Sequence, residues 1–357
     1  MARSVPYRDH VGLWRDELRA WIPGEIFDAH AHLGPPDAMG PIAAARRQEP
    51  LSTFTALTVE ELFAWYRRVY RGKTVAGLIA FGFPLREVRY DLANEYVASL
   101  ARRDSRVRGF LLANPRDTSA SITEYFAHKK RGARFSGVKP YYDLLGKEIP
   151  QSVYHTQMSE FVPDELLEFM DSERLVLMLH TSGIGMGDPE CQKFIRSALA
   201  RYPRVKIVLA HMGRYLLKDQ YFAFFDSGLL DHPNLFLEIS SASQPDVYKK
   251  TLTRRDLWKR LLFGSDLPFG LITGEEYWSK ETGPIFITRE KYSWTDEKIY
   301  ERFRTRRRRV TYNTYHALHA LKIAVDALAC GDAEKRQLKE DIFLNNARAR
   351  LFAGAAR

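Results

Sequence analysis

The segment 27–34 reads Phe27-Asp28-Ala29-His30-Ala31-His32-Leu33-Gly34, and it decides the fold. It overlaps an apolar run at 26–30 that has the composition of a buried β-strand. His30 and His32 are two positions apart, so both side chains point to the same side of that strand. A histidine pair of this kind is a weak signal on its own, and its meaning depends on the rest of the chain.

Seven further apolar runs follow, rich in Val, Ile, Leu and Phe and with little alternation, as in parallel strands covered on both faces. They lie at 75–81, 107–113, 137–139, 175–180, 206–211, 235–239 and 261–264. Segments with helical periodicity separate them, at 59–70, 92–102, 122–130, 163–172, 189–202 and 215–227. Strand and helix alternate eight times, which predicts an α/β fold of the (β/α)8 TIM-barrel type. No glycine-rich phosphate loop follows the first strand, which excludes the usual dinucleotide-binding alternative.

Outside this minimal pattern, residues 6–22 read as an amphipathic helix that precedes the first strand. We predict one domain, 1–357, with an N-terminal helical extension over 1–24. Two long loops, 34–57 and 270–311, follow strands one and eight, on the face where such barrels carry their active sites. Their length and aromatic content favour ordered lids. Helices are predicted at 315–330 and 333–352.

Composition excludes several classes of protein. Among the 357 residues no segment approaches the roughly 18 uninterrupted apolar residues of a membrane span. The first ten residues lack an apolar stretch, so we expect no secretory signal. The two cysteines have no neighbours at zinc-site spacing, so we expect a reducing, cytoplasmic location. The net charge of +10 invites a nucleic-acid partner, but no nucleic-acid-binding motif is visible. The densest basic run, 304–309, is either a solvated surface or a rim that attracts an anionic substrate.

Ionisable residues stand at the ends of several of these apolar strands. Lys139, His180 and His211 end strands four, five and six, and Asp266 follows strand eight. Burying such groups without partners costs about 2–7 kcal/mol for a neutral polar group and more for a charge. A shared cation offsets that cost, and imidazole and carboxylate ligands suit Zn²⁺, Mn²⁺ or Fe²⁺. The sequence therefore predicts a metal site at the carboxyl ends of the strands.

With these residues the chain resembles the amidohydrolase superfamily, in the branch called amidohydrolase family 2. That branch holds decarboxylases and hydrolases related to aminocarboxymuconate-semialdehyde decarboxylase. The matching motifs span nearly the whole chain in the family's order. They are Phe-Asp-Ala-His-Ala-His-Leu-Gly at 27–34, Gly-Val-Lys at 137–139, Leu-His-Thr at 179–181, Leu-Ala-His-Met-Gly at 209–213, Leu-Phe-Gly-Ser-Asp-Leu-Pro at 262–268 and Asn-Asn-Ala-Arg-Ala-Arg-Leu-Phe at 345–352.

The resemblance implies a set of metal ligands. One divalent metal, zinc with manganese or iron as alternatives, is bound by His30, His32, His180 and Asp266. Asp266 also accepts a proton from the attacking water, and His211 polarises the substrate or moves a proton. In binuclear relatives the strand-four lysine, here Lys139, is carboxylated and bridges two metals that also involve His211. In many members of the branch it is unmodified and contacts the substrate, and we favour one metal. The resemblance also suggests a homodimer.

Candidates for substrate binding lie close to these ligands in the sequence. Arg214 follows His211-Met-Gly, where a guanidinium could hold a carboxylate or phosphate, or simply start a surface helix. Tyr141, with Tyr142 and Asp143, follows Lys139. Glu238 on strand seven could contact substrate, orient a ligating histidine or pair with Lys139.

Trp278 and Trp294 could cover the site, anchor the last loop to the barrel or contact a second subunit. The two long loops match nothing in the family, so the resemblance transfers no substrate.

Three functions follow as alternatives. The first is hydrolysis of a C–O or C–N bond in a small carboxylate-bearing substrate such as a lactone or cyclic amide. The second is non-oxidative decarboxylation of an aromatic or enoic acid by the same ligands. The third is a basic barrel that binds anions or nucleic acid, which the intact ligand set argues against. We expect a small, anionic substrate as partner and neither a membrane nor a nucleic acid.

Overall fold

Eight parallel strands form the centre of the computed structural model, which describes residues 12–133, 135–147, 156–183, 185–215, 217–279 and 281–352. They are β1 (Glu25–His32), β2 (Thr74–Phe81), β3 (Val107–Leu112), β4 (Gly137–Lys139), β5 (Val176–Leu179), β6 (Lys206–Leu209), β7 (Leu235–Glu238) and β8 (Leu261–Leu262). Each strand pairs with its neighbour in the chain. The segment after β8 returns to β1, where Ala29 N donates to Phe263 O at 2.8 Å and His32 N donates to Leu267 O at 2.8 Å. The barrel is therefore nearly closed, and the predicted (β/α)8 fold is confirmed.

Helices alternate with the strands. They are α1 (Val59–Val69), α2 (Tyr90–Arg103), α3 (Thr118–Lys130), α4 (Asp164–Glu173), α5 (Pro189–Arg201), α6 (Lys218–Phe225) and α7 (Pro245–Leu252), with a helical turn over Met158–Phe161 before α4. The predicted helices lie within a few residues of these bounds, but the sequence pattern does not predict α7. Short 3-10 turns occur at Pro36–Ala38, Arg46–Gln48, Pro50–Thr53, Tyr142–Leu145, Gly185–Gly187, Ala210–Gly213, Leu229–Asp231, Arg255–Arg260, Phe269–Leu271 and Arg306–Arg309.

The helices pack on the barrel through one apolar face. In α1, a capping box between Thr58 and Glu61 satisfies backbone groups at the start of the helix. Leu62, Tyr66 and Val69 recur at helical spacing and are buried against the strands. The same rule explains why continuous apolar strands sit at the centre, since helices cover their outer faces.

The floor of the barrel is closed by the C-terminal segment. After α8 (Asn313–Asp326), α9 (Asp332–Glu340) continues as a π-helical segment, Asp341–Leu351. Ala347 and Leu351 belong to the same buried cluster as Phe27 and Phe110 of the barrel interior. This cluster fills the lower half of the barrel and leaves the carboxyl ends of the strands for polar side chains.

An irregularity in β1 helps to place its histidines. The pairing of β1 with β2 shifts register between Asp28 and Ala31. Ala29 lies in the interior cluster, while His30 and His32 meet at the top of the barrel, with their Nε2 atoms 3.3 Å apart. The register shift allows residues on both sides of it to face inward, which strict alternation would prevent.

The loop after β8 has secondary structure of its own. It forms an antiparallel hairpin of β9 (Gly274–Ser279) and β10 (Gly283–Thr288), followed by a short helix at Glu297–Arg302. The sequence predicts only an ordered loop there. At the other end of the chain, the predicted helix at 6–22 is present as a π-helical turn, Trp14–Leu18, and an α-helical turn, Arg19–Trp21. Residues 1–11 of the predicted extension lie outside the described residues. No described helix is long and apolar enough to cross a membrane.

Candidate metal centre and its cavity

Three buried side chains converge at the carboxyl ends of β1 and β8. Nε2 of His30 and Nε2 of His32 are each 3.3 Å from Oδ1 of Asp266, and the two nitrogens are 3.3 Å apart. Two ligands about 2.1 Å from one zinc ion, at a tetrahedral angle, lie about 3.4 Å from each other. The triangle therefore has the dimensions of three ligands to a single ion, and these residues fit the metal that the sequence predicts.

Hydrogen bonds on the far side of each ring orient this triangle. Nδ1 of His30 lies 3.0 Å from Oε2 of Glu238, and Nδ1 of His32 lies 3.1 Å from the carbonyl oxygen of Gly82. With Nδ1 engaged, each ring turns its Nε2 toward the shared point. Burial lowers the pKa of His30 well below its usual value and that of His32 to about 3. Both rings are thus neutral at neutral pH, the form that binds metal.

Asp28 connects β1 to the segment that carries Asp266. Its carboxylate accepts hydrogen bonds from Ser265 N at 2.8 Å, from Tyr66 Oη at 2.6 Å and from His30 N at 3.0 Å. Burial raises the pKa of Asp28 to about 6, and these hydrogen bonds oppose the rise. Asp266 itself has a φ of 54°, a left-handed conformation that Asp tolerates better than most residues. The contacts of Asp28 fix the strained segment in place.

His211 stands beside the triangle. Its ring stacks on that of His30 with centroids 5.3 Å apart, and its Nδ1 lies 2.9 Å from Ser240 Oγ. Burial lowers the pKa of His211 to about 4, so the ring is unprotonated at neutral pH. Donor atoms of His211, His30 and Glu238 also lie within 4.8 Å of one another. Glu238, however, already accepts hydrogen bonds from Ser240 N and Ser240 Oγ. Its contacts therefore suit a role in orienting the ring of His30 better than a role as a metal ligand.

His180, which we predicted as a fourth ligand, lies near the triangle but not in it. Its ring centroid is 5.0 Å from that of His211, and its Nδ1 lies 2.9 Å from Thr181 O. Among the described residues, the groups of three donor atoms within 4.8 Å of one another include His30 with His32 and Asp266, and none of these groups contains His180.

Lys139 is fully buried at the end of β4, and its Nζ has no hydrogen-bond partner within the described part of the chain. Aromatic rings surround it, with Nζ 5.1 Å from the ring centre of Phe81 and 5.8 Å from that of Tyr141. Burial lowers the pKa of Lys139 to about 8, while Asp266 and Glu238 raise it. A buried amino group without a partner is costly, which suggests that it meets a bound group.

These side chains line a cavity of about 520 Å³ at the top of the barrel. That volume is typical of sites for small molecules. His30, His32, Lys139, His180, His211 and Asp266 all line it. A larger cavity of about 670 Å³ lies between α4 and α5, but none of these six residues lines it. We therefore place the candidate site in the smaller cavity.

The predicted substrate-binding residues fall in different places. Arg214 and Tyr141 line the cavity, as do Tyr142 and Asp143. Glu238 is fully buried against His30 and is not among the residues that line the cavity.

The two long loops meet above the cavity. Nε1 of Trp294 donates to Thr53 Oγ1 at 2.8 Å, and Ser293 Oγ donates to the carbonyl oxygen of Arg47 at 2.7 Å. Trp294 lines the cavity, and the side chain of Trp278 lies outside the described residues. The arginine run packs behind the hairpin, where Arg306 pairs with Glu275 at 2.6 Å. None of the run's arginines lines the cavity as described.

Several residues of the site were not singled out from the sequence. Asp28 and Ser265 stand next to predicted ligands, but their pairing depends on how β8 meets β1. Glu276 and Phe286 line the cavity from the hairpin. The run Ile285-Phe286-Ile287-Thr288 is rich in β-branched and aromatic residues, a strand signal that could have revealed β10.

The family model for amidohydrolases matches residues 27–353. No curated protein matches the chain.

Solved structures with a similar fold cover almost the whole chain. An amidohydrolase 2 protein from Bifidobacterium longum subsp. infantis has 17% sequence identity and a TM-score of 0.51, covering 93% of this chain and 99% of its own. A candidate 2-pyrone-4,6-dicarboxylic acid hydrolase from Pseudomonas putida has 16% identity and a TM-score of 0.51, covering 94% and 100%. At these identities the likeness shows the fold alone.

Proposed function

The chain belongs to the amidohydrolase family, and from that premise we propose a single-domain, metal-dependent hydrolase that cleaves a C–O or C–N bond of a small carboxylate-bearing substrate. The observation that carries the proposal is the triangle of His30, His32 and Asp266, with donor atoms 3.3 Å apart. The buried lysine in the same cavity supports the anionic character of the substrate.

His30, His32 and Asp266 would hold the ion, which we propose to be zinc, and His180 would be the fourth ligand. A divalent ion held there supplies Lewis acidity, which polarises a carbonyl group and lowers the pKa of water. Manganese and iron are alternatives with the same ligands. A second metal on a carboxylated Lys139 is a further alternative, but the unmodified lysine serves the proposed anionic substrate directly.

Proton transfer would be the task of Asp266 and His211. Asp266 stands at the triangle, where its carboxylate can accept a proton from the attacking water. His211 lines the cavity with Nδ1 engaged by Ser240, which leaves Nε2 for the substrate. Because its pKa is lowered to about 4, the ring is neutral at neutral pH, and a proton that it accepts during the reaction is readily passed on.

Lys139, Arg214 and Tyr141 would bind and orient the substrate. The ammonium of Lys139 has no hydrogen-bond partner among the described residues and can receive a carboxylate. Arg214 and Tyr141 line the same cavity. The Pseudomonas protein with the same fold is a candidate hydrolase of a dicarboxylic acid, which is compatible with this arrangement.

The experiment is to load the purified protein with zinc and screen lactones and cyclic amides that each carry one carboxylate. In ¹⁸O-labelled water, we expect one labelled oxygen in the product. Release of CO₂ with no labelled oxygen in the organic product would overturn hydrolysis and favour decarboxylation by the same residues. Asp266→Ala and His180→Ala should each abolish metal-dependent turnover without unfolding the barrel. His319→Ala, a partly exposed histidine on α8 beside Glu17, is the matched control and should keep full activity.

The proposed cellular compartment rests on the cysteines rather than on the candidate site. Cys191 and Cys330 are free, and Cys191 is buried. Free thiols are usual in a reducing compartment, so we propose a cytoplasmic protein.

A further inference from the structure

One wall of the cavity is formed by the hairpin β9–β10. Glu276 and Phe286 are directly opposite each other on the two strands, so their side chains share a face. Both line the cavity. Gly274 lies against the ring of Phe286, because a Cβ at that position would overlap the ring. The hairpin therefore presents a carboxylate and an aromatic ring to the cavity side by side.

Trp294 extends this wall. Its ring centroid is 6.1 Å from that of Phe286, and it stacks on Tyr292 at 5.1 Å with an interplanar angle of 7°. Its Nε1 is held by Thr53. Phe286 thus stands next to Glu276, and Trp294 stands next to Phe286 and is fixed by contacts outside the cavity.

Neighbouring carboxylates on the same strand have different surroundings. Glu275 pairs with Arg306 on the outer face of the hairpin. Glu276 is exposed to the cavity and forms no hydrogen bond or ion pair with the residues that the structure describes. The charged group that acts on it is Arg214, which opposes the effect of burial on its pKa. Although Glu276 opens onto the cavity, the protein around it still raises that pKa.

We propose that Glu276, Phe286 and Trp294 form a subsite for an organic cation, namely an ammonium group carried by the substrate. A carboxylate beside aromatic faces is the arrangement that binds such groups, through ion pairing and cation–π attraction. The cationic Lys139 and the proposed ion repel an ammonium group from the strand ends. This inference rests on the proposed function. If both hold, the substrate carries a carboxylate at one end and an ammonium group at the other.

A binding experiment tests the subsite without turnover. Choline and 3,3-dimethyl-1-butanol have the same shape and the same hydroxyl, but only choline is charged. We expect the zinc-loaded protein to bind choline at least about tenfold more tightly, measured by isothermal titration calorimetry. Because both probes carry the hydroxyl, any contact of that group with the ion cancels in the comparison.

Variants assign the preference to the hairpin. Glu276→Gln should remove the preference for choline. Phe286→Leu, which keeps an apolar side chain, should weaken the binding of choline more than the binding of the alcohol. Glu275→Gln on the opposite face is the matched control and should leave the preference intact. The inference is overturned if choline shows no saturable binding, if it binds no better than the alcohol, or if Glu276→Gln retains the preference.

The outcome is separable from that of the proposed function. Choline preference in a protein without hydrolytic activity would keep the cation subsite and reject the hydrolase. Hydrolysis of carboxylate-bearing substrates without choline preference would keep the hydrolase and reject the subsite.

Discussion

Nδ1 of His30 lies 3.0 Å from Oε2 of Glu238, although their strands, β1 and β7, are not neighbours in the barrel. The carboxylate also accepts hydrogen bonds from Ser240 N and Ser240 Oγ, so both of its oxygens are engaged. Glu238 thereby fixes which nitrogen of His30 faces Asp266. A residue that never lines the cavity therefore sets the geometry of the candidate metal centre.

We predict that Glu238→Gln lowers zinc affinity about 10- to 100-fold, because an amide oxygen is a weaker acceptor for the Nδ1–H of His30. Competition with a chelator measures the affinity, and hydrolytic activity at limiting zinc should fall in parallel. Glu190→Gln, an exposed carboxylate in α5, is the control and should bind zinc like the parent. Unchanged zinc affinity in Glu238→Gln would show that His30 needs no such support.

The pKa of Lys139, lowered to about 8 by burial, predicts how the stability of the metal-free protein depends on pH. An unfolded lysine has a pKa of about 10.4. Below about pH 8 both states carry the proton and the folded state bears the full cost of burying it. Between about pH 8 and 10.4 the folded state loses its proton first, so the free energy of unfolding rises by up to about 3 kcal/mol.

Lys139→Met should remove this dependence. It keeps the length of the side chain without its charge, so at pH 7 the variant should unfold with a free energy higher by up to about 3 kcal/mol. The difference from the parent should disappear near pH 10.5. Denaturant unfolding in the presence of a chelator measures both values, with Lys193→Met, an exposed lysine in α5, as control. A variant less stable than the parent at pH 7 would contradict the assigned cost of burial.

Gly264 is predicted to be required for the packing of the centre. A Cβ there would overlap the Glu238 carboxylate and lie 2.8 Å from Cβ of His30. Gly264→Ala should therefore destabilise the protein by about 1–3 kcal/mol and weaken zinc binding. At Gly24, just before β1, a Cβ would meet nothing within 4 Å, so Gly24→Ala is the control. Thermal unfolding with and without zinc compares the two variants, and equal behaviour would refute the prediction.

Arg46 is predicted to hold the loop after β1 over the cavity. Its Nη2 lies 2.6 Å from Asp143 Oδ2, and its Nε lies 3.0 Å from Glu87 Oε1. Arg46→Met leaves these carboxylates without that cation and should lower the free energy of unfolding by about 3 kcal/mol. The loss should be no larger, because Arg86 still pairs with Asp143.

Arg46→Lys restores the charge without the planar fork, so its effect should be intermediate. Hydrogen exchange of residues 41–53 should increase in Arg46→Met. It should not increase in Arg71→Met, a variant of an exposed arginine just after α1. Unchanged exchange in Arg46→Met would show that the loop does not depend on this cluster.

The ionisable residues at the strand ends could be predicted from the sequence because each one ends or follows an apolar run. Lys139, His180 and His211 each interrupt such a run, and Asp266 follows one. Burying an ionisable group costs free energy unless a partner offsets it, and this argument can be applied to each position separately. It could not establish distances, and so it could not show that the ring of His180 lies beside His211 and outside the triangle.

The rest of the site depends on contacts between segments far apart in the chain. Asp28 meets Ser265 only because the barrel closes, and no local pattern reports that closure. Glu276 and Phe286 belong to a hairpin inside a long loop, where the parallel-strand pattern no longer applies. The helix α7 spans only Pro245–Leu252, about two turns, and offers too few residues for a clear period.

The floor of the barrel has a consequence for synthesis on the ribosome. Ala347 and Leu351 pack beneath Phe27 and Phe110. The first strand of the barrel to be synthesised is therefore covered by residues that are synthesised after all eight strands. A chain translated only as far as α8 lacks this plug and leaves the lower interior of the barrel open to water. Chains stalled between α8 and the π-helical segment should therefore engage chaperones, whereas chains that include it should be released from them.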